Sequence, residues 1–163
     1  MWAAIIICLA IAMMLGPVMM MRPSASQTRL AALRTQANAL GYRVRIAEDP
    51  RAGRDAQIAV YSLPWNKDDK NRPEWKLVKQ NISHELHFLN YWDWQGAGRP
   101  HVDIQEALKH FLNGVDMKLV AIGASRSGVD AYWEEKLSGE ESQVALERLR
   151  SLLQKIVDAN GNH

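Results

Sequence analysis

The sequence predicts an α+β protein, with one N-terminal transmembrane helix followed by a mainly antiparallel sheet and about three helices. Three observations carry that reading. Residues 2–21 run WAAIIICLAIAMMLGPVMMM without a single charge. Beyond them, short runs alternate apolar and polar residues between Gly- and Pro-bearing loops, as strands do. Three further stretches place apolar residues at three- and four-residue steps, as helices do. Hairpin-linked strands with helices between them argue an α+β layer rather than a parallel βαβ array. The organisation that follows is an anchor over 1–22, a basic juxtamembrane helix over 23–41 and a single α+β domain over 42–163, a size that closes one hydrophobic core.

The anchor comes first. Twenty residues rising about 1.5 Å each reach across a hydrocarbon core of about 30 Å. No Lys or Arg precedes the run, and it exceeds the roughly 7–15 apolar residues of a secretory signal; this predicts a retained span. Arg22, Arg29 and Arg34 all follow it, so the positive-inside rule places the N-terminus outside and the domain in the cytoplasm, at a bacterial inner membrane. Residues 22–54 hold seven Arg against Glu48 and Asp49, a net of +5, whereas residues 55–163 carry 13 basic and 16 acidic residues, a net of −3. The basic excess is therefore juxtamembrane, where each charge gains about 1 kcal/mol from anionic headgroups. Arg22, Arg29, Arg34, Arg43 and Arg45 become candidate membrane-surface residues, with membrane lipid as a partner; their competing use is pairing with acids such as Glu134 and Glu135. A slightly acidic body excludes a nucleic-acid partner.

The elements then follow in order. Ser24 to Leu40 is a helix with Leu30, Leu33, Ala37 and Leu40 on one face, ended by Gly41. Tyr42 to Ile46 alternates as a strand; Gln57 to Leu63 is a second, stopped by Pro64, and Glu74 to Gln80 a third after the polar loop 66–73. In residues 85–94, Leu86, Phe88, Trp92 and Trp94 share a two-residue phase, which reads as a fourth strand. Asp103 and Glu106 have capping-box spacing ahead of a helix striped by Ile104, Leu108, Phe111 and Leu112. Lys118 to Gly123 and Val129 to Glu135 form a hairpin around 124–128. Ser138 and Glu141 repeat the capping-box spacing before a last helix lined by Ala145, Leu149, Leu152, Leu153 and Ile156 and ending near Asn160-Gly161.

Candidate chemistry is sparse. Cys8, the one cysteine, lies in the apolar run, which excludes a disulfide framework, a cysteine metal site and a catalytic thiol in the domain. His84 and His87 stand three apart, whereas a zinc-binding helix needs them four apart with Glu as base, so no metal and no cofactor is expected. Gly123 to Gly128 brushes against G-x-S-x-G at Ser125, but no helix follows the serine, and a hairpin is the better reading. Trp92 and Trp94, two apart on a strand, are candidates for an aromatic ligand platform; their competing use is core packing.

With the anchor, Arg22-Pro23, the basic helix, Gly41 and the strand Tyr42–Ile46 in view, residues 1–46 resemble YajC, the auxiliary subunit of the bacterial Sec preprotein translocase. The chain as a whole is similar to small membrane-anchored proteins of proteobacteria. The resemblance implies topology and no functional residue. The function expected is a membrane-tethered, non-enzymatic interaction domain that docks a protein partner. An accessory subunit of a membrane complex such as the Sec translocon comes second, and a small hydrolase using His84, His87 or Ser125 third.

Overall fold

A computed structural model describes residues 2–20, 24–51, 53–66, 74–81, 88–114, 117–136 and 139–161. It is α+β, with four helices and one six-stranded antiparallel sheet. Two compact units divide the chain, residues 1–32 and residues 33–163.

The first unit holds α1, Trp2–Met20, and the start of α2, Ala25–Ala39. Side chains of α1 are described at residues 2–11 and 13, all of them exposed. That ten-residue run rises about 15 Å, half a bilayer core. Among the described residues no helix is long and apolar enough to cross a membrane. The start of α2 is capped by a pairing that its sequence spacing contains: Ser24 N–H donates to Gln27 Oε1 at 2.9 Å and Gln27 N–H to Ser24 Oγ at 3.3 Å, a reciprocal capping box.

In the second unit α2 buries Leu33 and Ala37 and stops where expected. Gly41, at φ 86°, turns the chain left-handed so that its N–H reaches Asn38 O at 3.0 Å and the Tyr42 N–H reaches Ala37 O at 3.1 Å. This is a Schellman closure, which favours glycine because a Cβ is disfavoured at that φ. The strands are β1 (Arg43–Glu48), β2 (Gln57–Pro64), β3 (Trp75–Lys79), β4 (Trp92–Gln95), β5 (Leu119–Ser125) and β6 (Gly128–Trp133), in the spatial order β1-β2-β6-β5-β3-β4. The helices are completed by α3 (Val102–Gly114) and α4 (Gly139–Gly161).

One face of the sheet carries the core. Tyr61, Leu77, Ile122 and Trp133 meet Leu108 of α3 and Leu146, Leu149, Leu153 and Ile156 of α4, all at 0% exposure. The Tyr42 hydroxyl donates to Leu146 O at 2.9 Å, and its burial raises its pKa. The opposite face gathers Ile58, Val60, Val78, Val120, Ala121 and Tyr132, a cluster with no helical residue among those described.

Three expectations are corrected. The fourth strand is four residues, Trp92–Gln95, because Asn90, at φ 45°, turns the chain just before it; residues 85–87 lie outside the described ones. The hairpin loop shrinks to Arg126-Ser127, since Ser125 pairs with Gly128 in the ladder. The box expected at Asp103 does not start α3. That helix begins one residue earlier, with Ile104 N–H and Gln105 N–H both donating to His101 O at 3.1 Å, while Glu106 is turned to Lys109 Nζ at 2.9 Å. Ser138 lies outside the described residues.

Candidate functional site

The register aligns a polar row across all six strands. Arg43 faces Ser62, Ser62 faces Asp130, Asp130 faces Gly123, Gly123 faces Lys76 and Lys76 faces Gln95. Because side chains alternate along a strand, the row lies on the face opposite Tyr61, Leu77, Ile122 and Ala131. Its middle runs through central strands, where polar groups are costly unless bonded. Ser62 is 9% and Asp130 5% exposed. The Ser62 hydroxyl donates to Asp130 Oδ1, and Arg45 Nη2 donates to Asp130 Oδ2 at 3.1 Å.

Around this row opens a cleft of about 550 Å³ lined by Arg45, Lys76, Gln95, Gly123, Asp130 and Tyr132, with the loop 96–98 and Ser125 at its lip. Gly123 forms the floor, and a Cβ there would stand 2.8 Å from Trp75 O. The lip is fixed in place: a Cβ on Gly98 would fall 1.8 Å from Glu74 O, so the loop lies flat on β3. Arg99 Nη1 donates to Gly96 O at 2.8 Å and Gly98 O at 2.7 Å, and its guanidinium sits 5.3 Å from the Trp94 ring. Arg126 Nε holds Glu74 Oε1 at 2.9 Å. Lys76 Nζ rests over the Tyr132 ring, 5.3 Å from its centroid, and no described acid pairs with it.

Ser125 sits at this lip, held by its neighbours in the hairpin. Its Oγ bonds to Ser127 Oγ at 3.1 Å and donates to Gly128 O at 3.2 Å, with Asp130 Oδ2 at 3.5 Å. No described imidazole or amine stands within hydrogen-bond distance to take its proton. His84 and His87 lie outside the described residues. His101 is exposed beside Asp103 at 3.0 Å, and His110 lies in a groove between α3 and α4. Among the described residues no three His, Cys, Asp or Glu groups are placed to hold a metal ion.

Trp92 and Trp94 share a face, as their spacing implies, and that face is the core side. Trp92 is 7% exposed, which removes it from any open platform, and Trp94 is half-buried against the core. The Trp94 ring meets Trp75 edge-on at 5.8 Å and Phe88 at 4.8 Å.

The arginines expected at the membrane divide. Arg22 lies outside the described residues. Arg29 and Arg43 are exposed and form no ion pair among the described residues. Arg45 is held by Asp130, and Arg34 grips Glu135 through Nε at 3.0 Å and Nη2 at 2.7 Å. Glu135, in a left-handed backbone at φ 50°, also accepts the Tyr61 hydroxyl at 2.6 Å. Arg51 completes the network, bonding Asp49 through Nε at 2.9 and 3.0 Å and Glu134 through Nη2 at 2.8 Å; Lys136 Nζ reaches Glu134 at 2.8 Å.

This network sets a pH dependence. Burial pushes the Asp49 carboxyl up, but the hydrogen bonds from the Arg51 guanidinium and amide outweigh it and leave it below its usual 3.8. Lys136 first, then Arg51, outweighs burial at Glu134 and holds it below 4.5. A depressed carboxylate stabilises the fold fully above its unfolded pKa and loses that contribution as pH falls through its folded pKa. The urea midpoint is expected to fall below about pH 4, the buried Asp49 and the half-buried Glu134 each contributing on the order of 1 kcal/mol. The fall should be shallower in Asp49→Asn/Glu134→Gln; an unchanged slope would remove these two groups as its cause.

Comparison with protein-family models, curated proteins and solved structures returns no match for this chain.

Proposed function

We propose that the chain is a membrane-tethered, non-enzymatic binding domain at the inner face of a bacterial inner membrane, with α1 as anchor and the sheet face that bears Ser62 and Asp130 as binding surface. The observation that carries the reading is α1 itself, which exposes Trp2, Ile5, Ile7, Leu9, Ile11 and Met13. A helix apolar on every side has no hydrophilic face to turn to water and is at home in lipid. The uncharged run to Met21 supplies the length, and Arg22, Arg29 and Arg34 after it favour a cytoplasmic domain. Exposed Arg29 and Arg43 suit anionic lipid headgroups. The cleft favours binding over turnover, because Asp130, the carboxylate of its polar row, is already taken up by Ser62 and Arg45. A second reading, an accessory subunit of a membrane complex such as the Sec translocon, draws on the resemblance of residues 1–46 to YajC, with α1 packing against other spans.

In cells, the full chain is expected to stay in the membrane pellet after alkaline extraction, and a chain begun at Ser24 to be released. A reporter active only in the cytoplasm, fused after His163, should work. Full chain in the soluble fraction would end the anchor reading, and activity of a periplasm-only reporter would reverse the orientation.

A further inference from the structure

We infer that the cleft on the sheet face that bears Ser62 and Asp130 is a carboxylate-binding site, with Lys76 as the cation that receives the ligand and Gln95, Tyr132 and the free edge of Arg45 as its hydrogen-bond donors. The inference deepens the binding-domain reading and rests on it.

The charges of the cleft single out Lys76. Asp130 is matched by Arg45 at 3.1 Å, and Glu74 by Arg126 at 2.9 Å. Each pair cancels within itself. Lys76 alone is left with an aromatic face, the Tyr132 ring, and a ring quadrupole does not neutralise an ammonium. Among the described residues the uncancelled charge of the cleft is thus a single positive one. The groups beside it are donors. The Gln95 amide and the Tyr132 hydroxyl have no partner among the described residues, and Arg45 spends only Nη2 on Asp130, leaving Nε and Nη1. One uncancelled cation flanked by two neutral donors and the free edge of an already paired guanidinium fits a monoanion with two acceptor oxygens, such as a carboxylate; a phosphate dianion is better served by clustered arginines.

The site is also built before any ligand arrives. Gly123 keeps the floor open at the point where Asp130 and Lys76 flank it in register. The lip is held by Arg99 on two carbonyls. Such preorganisation lowers the ordering cost of binding, and about 550 Å³ falls in the range of small-ligand pockets. A free small carboxylate and the C-terminal carboxylate of a peptide present the same chemistry here.

The test uses the full chain in detergent micelles, labelled with nitrogen-15 and titrated with N-acetyl-trialanine, its C-terminal amide and propionate. The free acid is expected to shift the amides of Lys76, Gly123 and Gln95 saturably, and the amide form not to. Lys76→Met should weaken binding about tenfold or more, the loss of one charged hydrogen bond. Lys76→Arg should keep it, as should Lys79→Met, three residues on and pointing to the other face. Tighter binding of the peptide than of propionate assigns the site to protein C-termini; equal binding assigns it to small acids. Acid and amide binding alike, an absence of saturable shifts, or full affinity in Lys76→Met would overturn the proposal. Cleavage of the peptide, read by mass spectrometry, would instead overturn the non-enzymatic reading and leave the carboxylate site standing.

Discussion

Trp133→Ala is expected to lower the stability of the sheet unit by about 3–5 kcal/mol, read as a shift of the urea midpoint in far-ultraviolet circular dichroism. Trp133 is 0% exposed and sits mid-sheet on β6, opposite Ala59 of β2 and Leu119 of β5. Its ring packs on Tyr61 at 5.3 Å, and beyond it lie the helices. Neighbours fixed in a hydrogen-bonded ladder cannot collapse into the space an indole leaves, so both the transfer and the cavity terms are felt. The indole N–H finds no acceptor among the described residues, and a buried unpaired donor itself costs about 1–3 kcal/mol. Trp133→Phe removes that donor while keeping a ring, and should therefore cost clearly less than the alanine change. A loss under about 1 kcal/mol in Trp133→Ala would contradict the core position.

Asp130→Ala should cost about 1–3 kcal/mol by a different route. The carboxylate is the acceptor for the buried Ser62 hydroxyl and for Arg45. Arg45, half exposed at 50%, can turn to water when the acceptor goes. Ser62, at 9%, cannot, and the penalty falls on it. Adding Ser62→Ala should then recover part of the loss, because removing both partners of a buried bond is milder than orphaning one. A double variant that is simply the sum of its single changes would show that the two groups do not depend on one another.

The residues that made the elements visible were those whose signal is local. Pro64 stops β2, Gly41 stops α2, and the stripe from Ala145 to Ile156 lies buried as its spacing requires. Capping is less legible in the sequence. The Ser24–Gln27 box has the same spacing as the one expected at Asp103, yet the former forms and the latter does not. The difference is Pro100-His101, which lets the helix begin before Asp103. The phase of Trp92 and Trp94 was legible, but whether a strand face meets helices or solvent depends on strands and helices far along the chain.

The cleft was hidden for the same reason. Asp130 stands out only as a charge between Val129 and Ala131, and Lys76 as one among several lysines. Their meeting across Gly123 depends on two registers, β3 with β5 and β5 with β6, and a single residue of slip in either would send one of them to the core face. The ion pairs of Arg34 with Glu135 and Arg51 with Glu134 join residues 101 and 83 positions apart. Sequence could name the acids and not the partner of each.

The strand order has a consequence for synthesis. β2 contains six consecutive buried residues, Ile58 to Leu63, and pairs with β1 on one edge and β6 on the other. The first edge is complete almost as soon as β2 is made. The second waits for Trp133, about 70 residues later, which at roughly 5–20 residues per second is about 4–14 s. For that interval the nascent chain carries an apolar strand with one open edge, the kind of surface on which aggregation starts. Demand for a chaperone should therefore be concentrated between the emergence of β2 and that of β6, and slowing translation within that window should lower the yield of folded protein more than slowing it after Trp133.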